Sequence, residues 1–214
     1  MVIRNKYAVF AFFACLLMAL TDAVLQPPYA IKSAIKIVLF FVLPMIFAKE
    51  LNLLSLFKFR KKSFKISLIL GISLFVIILG AYFIAGSLFD LSAITTVLGK
   101  SMGVNSGNFI FVAIYIALIN SLLEEFFFRG FIFLKLPGKY SGIFSAVLFS
   151  LYHVAMMIGW FDILLFALVL IALFVAGVIF NAIDRKFNSI YPSYFIHMFA
   201  NLAINTIGLI LFSK

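Results

Sequence analysis

Seven long apolar segments, each close to the length that a helix needs to cross a bilayer, are the dominant feature of this chain of 214 residues. A transmembrane helix needs about 20 mostly apolar residues. Read by length, the segments are residues 7–25, 30–48, 66–88, 108–134, 141–159, 162–183 and 190–212. Hydrophobic residues make up 66% of the chain, more than a soluble domain of this size can bury. The sequence therefore predicts an all-α polytopic membrane bundle of about seven transmembrane helices.

Short polar stretches separate the apolar segments and suggest two parts. A basic stretch, Lys58 to Lys65, precedes the third segment, and a polar, glycine-bearing loop at about 89–107 precedes the fourth. We therefore expect an N-terminal part, residues 1–107, with three spans, and a second part, residues 108–214, with four spans. The phenylalanines of the apolar segments are expected to face lipid.

The first segment also has features of a signal peptide, because Arg4 and Lys6 precede its apolar run. Thr21-Asp22-Ala23 is a poor cleavage site, so we expect an uncleaved first helix. Cys15, the single cysteine, lies within this run. A disulfide framework and a cysteine metal site are therefore excluded.

The basic residues predict an orientation. The net charge of +10 is also typical of nucleic-acid binding, but these residues lie mostly between apolar segments, so membrane topology explains them and we expect no nucleic-acid partner. Cytoplasmic loops of membrane proteins are enriched in Lys and Arg. With a cytoplasmic N-terminus, the inner set is Arg4, Lys6, Lys49, Lys58, Arg60, Lys61, Lys62, Lys65, Lys135, Lys139, Arg185 and Lys186. The outer set is only Lys32, Lys36, Lys100 and Lys214. We therefore expect a multi-pass protein of the cell membrane with its N-terminus inside.

Charged residues stand inside the fourth segment, in Glu124-Glu125-Phe126-Phe127-Phe128-Arg129. Each costs about a few kcal/mol at the bilayer centre, so an ionisable group there indicates a functional site. Glu125 and Arg129 are four residues apart and share a helix face. Glu124 is rotated by about 100° from Glu125. Arg129 can therefore neutralise Glu125 while Glu124 points elsewhere, which separates an acid–base group from a structural one.

The chain has two histidines, and both lie in apolar segments: His153 on the fifth and His197 on the seventh. Asn201 shares a helix face with His197, and Asn120 lies one turn before Glu124. At 1.5 Å per residue, Glu124, His153 and His197 lie roughly 15, 18 and 10 Å from the cytoplasmic ends of their helices. Polar groups at similar depth can satisfy one another, as the bilayer requires. We expect them to converge on one pocket.

Two carboxylates, two imidazoles and an amide suit hydrolysis of a peptide bond. A carboxylate takes a proton from water, an imidazole assists, and polar donors stabilise the oxyanion. The sequence contains no G-x-S-x-G and no H-E-x-x-H motif. Two histidines and a glutamate also suit a zinc site with an open position, whose ligands would be Glu124, His153 and His197. These residues leave a metal-bound water and a glutamate-activated water both open.

A proton-coupled transporter would use the same residue types, since buried Glu and His also form proton relays. It predicts inverted repeats with broken helices in both halves of the chain. No such symmetry is visible, and the charges that we expect to be buried all lie in the second half. A membrane protein that binds a peptide without cutting it is a further alternative.

The polar motifs of the apolar segments resemble those of a known family. E-E-x-x-x-R at Glu124, F-x-x-x-H ending at His153 and H-x-x-x-N starting at His197 occur in that order on membrane helices. This set resembles the CAAX protease and bacteriocin-processing (CPBP, or Abi) family, which includes the type II CAAX prenyl endoproteases. The resemblance covers about residues 108–210. In many members small residues lie on the helix before the last motif, whereas here Gly177 is followed four residues on by Asn181.

The resemblance implies an intramembrane endopeptidase whose catalytic core lies on the last four spans. By the family pattern, Glu124 activates the attacking water and His153 assists it. His197 and Asn201 line the oxyanion site, and Glu125 and Arg129 support the first motif. The family was first classed as metallopeptidases, whereas its prenyl-protease members look glutamate-dependent, so zinc stays possible here.

The resemblance is compatible with several classes of substrate. Bacterial members of the family look like processors of peptide pheromones or bacteriocins, self-immunity proteins or regulators of surface-protein display. The Lys-, Ile- and Phe-rich composition is compatible with a bacterial source. We expect a small hydrophobic, membrane-associated or CAAX-like peptide substrate, cleaved near the cytoplasmic face. The alternative is a non-catalytic bacteriocin-immunity or sensor-kinase-modulating protein. The sequence does not give the oligomeric state.

Overall fold

The structure is a computed structural model that describes residues 2–136 and 138–213, with the side chains of residues 2–5 and 101 excepted. Lys214, which we predicted to lie outside, falls beyond the described residues. Within the described part the chain is helical, and no strand is formed. Among the described residues, six helices are long and apolar enough to cross a membrane, and a further apolar helix, Ser141–Met157, has 17 residues. The predicted all-α polytopic bundle is confirmed.

Eight helices are numbered here along the described residues. They are α1 (Val2–Leu20, continued by the π-helical turn Thr21–Leu25), α2 (Tyr29–Phe47), α3 (Lys61–Leu88), α4 (Ser92–Met102), α5 (Phe109–Leu134), α6 (Ser141–Met157), α7 (Ile163–Phe187) and α8 (Tyr191–Phe212). Among the pairs that pack together are α8 with α3, α6 with α7 and α1 with α6.

Helix α4 lies where the sequence predicted a loop. It ends at Gly103, whose positive φ of 67° is a conformation that glycine adopts without strain. Met102 and Val104, on either side of that glycine, are buried against Phe109 at the start of α5. The loop prediction for 89–107 was wrong because this packing stabilises a helix whose polar and glycine-bearing sequence is a weak helix signal.

One end of the bundle gathers segments that a seven-span chain would place on the same side of the membrane. Lys6 Nζ lies 3.4 Å from Glu50 Oε1, which joins the start of α1 to the segment after α2. The Ile190 N–H, just before α8, donates to the Leu56 carbonyl at 3.2 Å. These contacts fit an arrangement in which each long helix crosses the bundle once.

The opposite end brings other termini together. The rings of Phe109 at the start of α5 and Phe212 at the end of α8 have centroids 4.8 Å apart. Tyr29, at the start of α2, lies edge-on to Tyr115 of α5 at 5.8 Å. Successive connections between the long helices thus lie at alternate ends of the bundle, which is the alternation that the predicted orientation requires.

The centre of the bundle is filled by the aromatic residues of α5. Phe126, Phe127 and Phe128 are fully buried, and the Phe127 ring stacks on Phe40 of α2 with centroids 4.2 Å apart. The expectation that the phenylalanines face lipid was wrong for this helix. Here their rings form the packing surface that holds α2 against α5, whereas others, such as Phe83, are exposed.

Helix α5 is irregular around its two glutamates. Ile116–Asn120 and Glu125–Leu134 are π-helical, and the short α-helical stretch Ser121–Glu124 lies between them. In a π-helical turn each N–H bonds to the carbonyl five residues back, so the turn is wider than in an α-helix. Such turns are frequent at functional sites. They help to set the direction of each polar side chain on α5.

Candidate active site

Glu124 of α5 has two carboxylate oxygens in different surroundings. Oε1 lies 2.8 Å from Lys36 Nζ of α2, and it accepts from the Asn120 amide nitrogen at 3.0 Å. Oε2 is buried and has no protein hydrogen-bond partner among the described residues. With the residue only 1% exposed, a buried oxygen without a partner is costly unless a further donor reaches it.

Two histidines face that oxygen from two other helices. His153 Nε2 of α6 lies 3.7 Å from Glu124 Oε2, and His197 Nε2 of α8 lies 3.8 Å from the same atom. The structure therefore brings together the three residues that the depth argument placed at similar levels. Both distances are longer than a direct hydrogen bond and suit a bridging water.

The other ring nitrogen of each histidine has a defined partner. His153 Nδ1 lies 2.7 Å from the Phe149 carbonyl, and His197 Nδ1 lies 2.7 Å from Glu125 Oε1. A carbonyl only accepts, so Nδ1 of His153 must carry the proton. In the neutral form of this ring, Nε2 then presents a lone pair toward a carboxylate oxygen. A small molecule with two O–H donors, such as water, complements these two acceptors.

Glu125 has different partners from Glu124, in keeping with the proposed separation of roles. Glu125 Oε2 lies 3.2 Å from Arg129 Nε, and both side chains are fully buried. The guanidinium also lies over the rings of Phe149, at 4.0 Å, and Phe180, at 5.1 Å. Aromatic faces attract a cation and partly replace the water that it loses on burial.

Asn201 of α8 contacts α5 one turn before Glu124. Its amide nitrogen donates to Ser121 Oγ at 2.8 Å and more weakly to the Ile116 carbonyl at 3.4 Å. In the described part of the chain it has no hydrogen bond to Glu124 or to either histidine. Asn201 therefore ties α8 to the irregular part of α5.

The chain was compared with protein families, curated proteins and solved structures. Residues 106–203 match the family model described as Type II CAAX prenyl endopeptidase Rce1-like. This segment is Rce1-like. The match contains all three polar motifs and confirms the family resemblance recognised from the sequence. It supports a CAAX-type intramembrane endopeptidase in general. Neither the curated proteins nor the solved structures give a match.

Lys36 is the residue of this site that sequence reasoning missed, and it lies outside the Rce1-like segment. It was predicted to lie in the outer set, together with Lys32. The structure instead buries both within α2, where Lys32 pairs with Asp22 and Lys36 with Glu124. The expectation that all buried charge lies in the second half was therefore wrong. The sequence did contain a sign of this contact, because two lysines four residues apart in an apolar span need acidic partners.

The residues around Glu124 fit a zinc ion poorly. Both histidines have an anchored Nδ1, which is typical of metal-binding histidines. However, the Lys36 ammonium already neutralises the carboxylate that would be a ligand, and a second cation beside it is repelled. No group of three or more His, Cys, Asp or Glu side chains within residues 2–136 and 138–213 is arranged to hold a metal ion.

The Rce1-like site is closed in this structure. His153 and His197 are each only 7% exposed, and Glu124 is 1% exposed. A cavity of about 370 Å³ lies elsewhere, between the C-terminal part of α1 with its continuation and the middle of α2. Its lining is Leu17, Leu20, Thr21, Val24, Leu25, Ile35 and Leu39.

Proposed function

We propose that this protein hydrolyses a peptide bond in a small hydrophobic or membrane-associated peptide, using a water molecule activated by Glu124. The observation that carries the proposal is the convergence of His153 Nε2 and His197 Nε2 on Glu124 Oε2, at 3.7 and 3.8 Å. The position of all three residues within the Rce1-like segment supports the same reaction class.

In the first step, Glu124 Oε2 takes a proton from the water while the water oxygen attacks the carbonyl carbon of the peptide bond. His153 orients that water through Nε2, because its Nδ1 is fixed on the Phe149 carbonyl. The carbonyl becomes a tetrahedral oxyanion. Glu124 then returns the proton to the leaving nitrogen, the C–N bond breaks, and the carboxylate is regenerated.

The oxyanion needs donors, and His197 and Asn201 are the proposed ones. His197 can donate through Nε2 only when both ring nitrogens are protonated, with Nδ1 bonded to the Glu125 carboxylate. Asn201 can redirect the N–H of its weaker, 3.4 Å contact with the Ile116 carbonyl. One such donor is worth about 100-fold in rate or more.

The substrate proposal combines the family with the membrane setting. The matched family is described as prenyl endopeptidases, so a peptide with a lipid-modified CAAX-like end is one proposed substrate, and a peptide pheromone or bacteriocin precursor is another. We place the N-terminus and the basic connections in the cytoplasm, with Glu124 reached from that half of the bilayer.

The test compares cells that carry the wild-type protein with cells that carry Glu124→Gln at matched levels. Peptides released into the medium and the termini of membrane proteins are identified by mass spectrometry. We expect one set of termini to depend on Glu124. Glu50→Gln, at an exposed glutamate outside the site, is the matched control and should leave those termini unchanged. Identical termini in wild type and Glu124→Gln would contradict proteolysis.

A purified assay separates cutting from binding alone. The protein in lipid nanodiscs is incubated with a farnesylated peptide that ends in a CAAX sequence, and with the same peptide without the lipid. New termini that vanish in Glu124→Gln support the proposal. Binding without new termini, together with unchanged cellular peptides, favours the non-catalytic alternative.

A further inference from the structure

The N-terminal helices, which the family match does not include, contribute a charged side chain to the site. Lys36 of α2 is buried, with 4% of its side chain exposed, and its ammonium lies 2.8 Å from Glu124 Oε1. It also donates to the Asn120 side-chain oxygen and lies 5.0 Å from the centre of the Tyr152 ring. A buried lysine needs such partners, because an isolated ammonium is costly in an apolar interior.

Lys36, Asn120 and Glu124 form a closed triangle of polar contacts. The Asn120 oxygen accepts from Lys36, and its amide nitrogen donates to Glu124 Oε1 at 3.0 Å. Oε1 therefore receives two donors, whereas Oε2 receives none from the described residues. This division leaves Oε2 as the more basic oxygen and points it at His153 and His197.

We propose that Lys36 is a positioning residue for Glu124: its contact with Oε1 keeps Oε2 directed at the two histidines. Its catalytic consequence rests on the proposed function, whereas its effect on the surroundings of the carboxylate does not. The physical reason is that a hydrogen bond from a charged donor is short and strong, so it fixes the orientation of the carboxylate that accepts it. The N-terminal part thus completes a site whose other members lie in the Rce1-like segment.

Other ionisable side chains also act on Glu124, so the test must isolate the contribution of Lys36. They come from several packed elements and are Cys15 of α1, Tyr29 and Lys32 of α2, Arg129 of α5, Tyr152 and His153 of α6, and His197 of α8. Of these, Lys32 offers a matched control. It stands one turn before Lys36 on the same helix, is also buried, and pairs with Asp22 rather than with Glu124.

The experiment measures the surroundings of the Glu124 carboxylate directly, by infrared spectroscopy of the purified protein in nanodiscs. The antisymmetric stretching band of the carboxylate is assigned to Glu124 by its loss in Glu124→Gln. We expect this band to shift or disappear in Lys36→Met, because the carboxylate loses its contact with the ammonium. In Lys36→Arg, which keeps the charge, and in Lys32→Met, which leaves this contact intact, it should remain near its wild-type position.

Cleavage of the farnesylated CAAX peptide gives the catalytic readout. We expect kcat to fall about 100-fold in Lys36→Met with little change in KM, because the reacting group is misplaced while peptide contacts persist. Lys36→Arg should restore most of kcat. If Lys36→Met does not fold, Lys36→Gln, which keeps a donor but loses the charge, takes its place.

The spectroscopic and the catalytic readout can fail independently. An unchanged Glu124 band in Lys36→Met, or an equal change in Lys32→Met, overturns the role of Lys36. A changed band in a protein that cleaves no peptide in any variant supports the Lys36 contact and counts against the proposed function alone.

Discussion

The Oε1 atom of Glu125 lies 2.7 Å from Nδ1 of His197, so the second glutamate of α5 holds the histidine of α8 whose other nitrogen faces Glu124. The same carboxylate pairs with Arg129 through its second oxygen. One buried carboxylate therefore links the two helices, fixes a ring orientation and neutralises a guanidinium.

Replacing Glu125 by Gln should weaken both activity and stability. The amide keeps the shape but leaves Arg129 as a buried charge without its counter-ion, which costs about 3–5 kcal/mol. We expect a lower unfolding midpoint in detergent titration and about 10- to 100-fold lower peptide cleavage, the range seen when a partner that orients a histidine is lost. Glu50→Gln is the exposed control. Unchanged stability would show that Glu125 is not the counter-ion that Arg129 needs.

The pair of Lys36 and Glu124 should show strong coupling. Glu124→Gln alone leaves the Lys36 ammonium unpaired and should destabilise the protein by about 3–5 kcal/mol. The double variant Glu124→Gln/Lys36→Met removes both charges and should recover much of that loss, although it stays inactive. Unfolding of the four proteins of this cycle measures the coupling, and additive effects would contradict a direct pair.

Gly177 of α7 sits where two helices approach closely. A Cβ there would lie 3.0 Å from the Ala146 Cβ and 3.1 Å from its Cα, and the backbone of α6 cannot move aside easily. Gly177→Ala should destabilise by about 1–3 kcal/mol. Gly80→Ala on α3 meets nothing within 4 Å and should be neutral or stabilising by up to about 1 kcal/mol. Equal effects at the two glycines would show that the close α6–α7 contact is not formed.

Asp184 of α7 should contribute more to the free energy of unfolding than an aspartate that caps a helix in an exposed position. Its carboxylate accepts from the Ser193 backbone N–H at 3.0 Å and from the Ser193 hydroxyl at 2.6 Å, at the buried start of α8. Asp184→Ala leaves that N–H without a partner and should cost about 1–3 kcal/mol. Asp162 caps α7 in an exposed position, and Asp162→Ala should cost about 1 kcal/mol. A reversed order in thermal unfolding would contradict the buried contact.

The proposed orientation predicts which residues an impermeant thiol reagent reaches in intact cells. Cys15 is 5% exposed, and a Cys15→Ala background removes its residual signal. A cysteine introduced at exposed Lys100 should react in intact cells, whereas one at exposed Lys62 should react only after permeabilisation. The opposite pattern would reverse the topology.

The sequence predicted the features that depend on composition and on local spacing. The apolar segments located the long helices, and matched depth led to the contacts among Glu124, His153 and His197. It did not predict Lys36, because this contact joins residues 88 positions apart and depends on how α2 packs on α5. For the same reason it misplaced Phe126–Phe128, whose burial is decided by neighbouring helices and not by their own hydropathy.

The contact made by Asn181 on α7 was also beyond local reasoning. Asn181 stands where a small residue was expected, yet its amide donates to the Gly142 carbonyl at 2.8 Å and so joins α7 to the start of α6. Here a hydrogen bond from a polar side chain joins the two helices, at a place where a small residue would allow close packing. The spacing of residues in the sequence does not show which of these two contacts forms.

The near-complete enclosure of Glu124 has a kinetic consequence. If peptide enters only when helices part, every catalytic cycle includes a gating step in the lipid phase, and bond cleavage sets the pace only when that gate is fast. Membrane thickness and fluidity would then change the turnover rate as directly as a substitution in the site does.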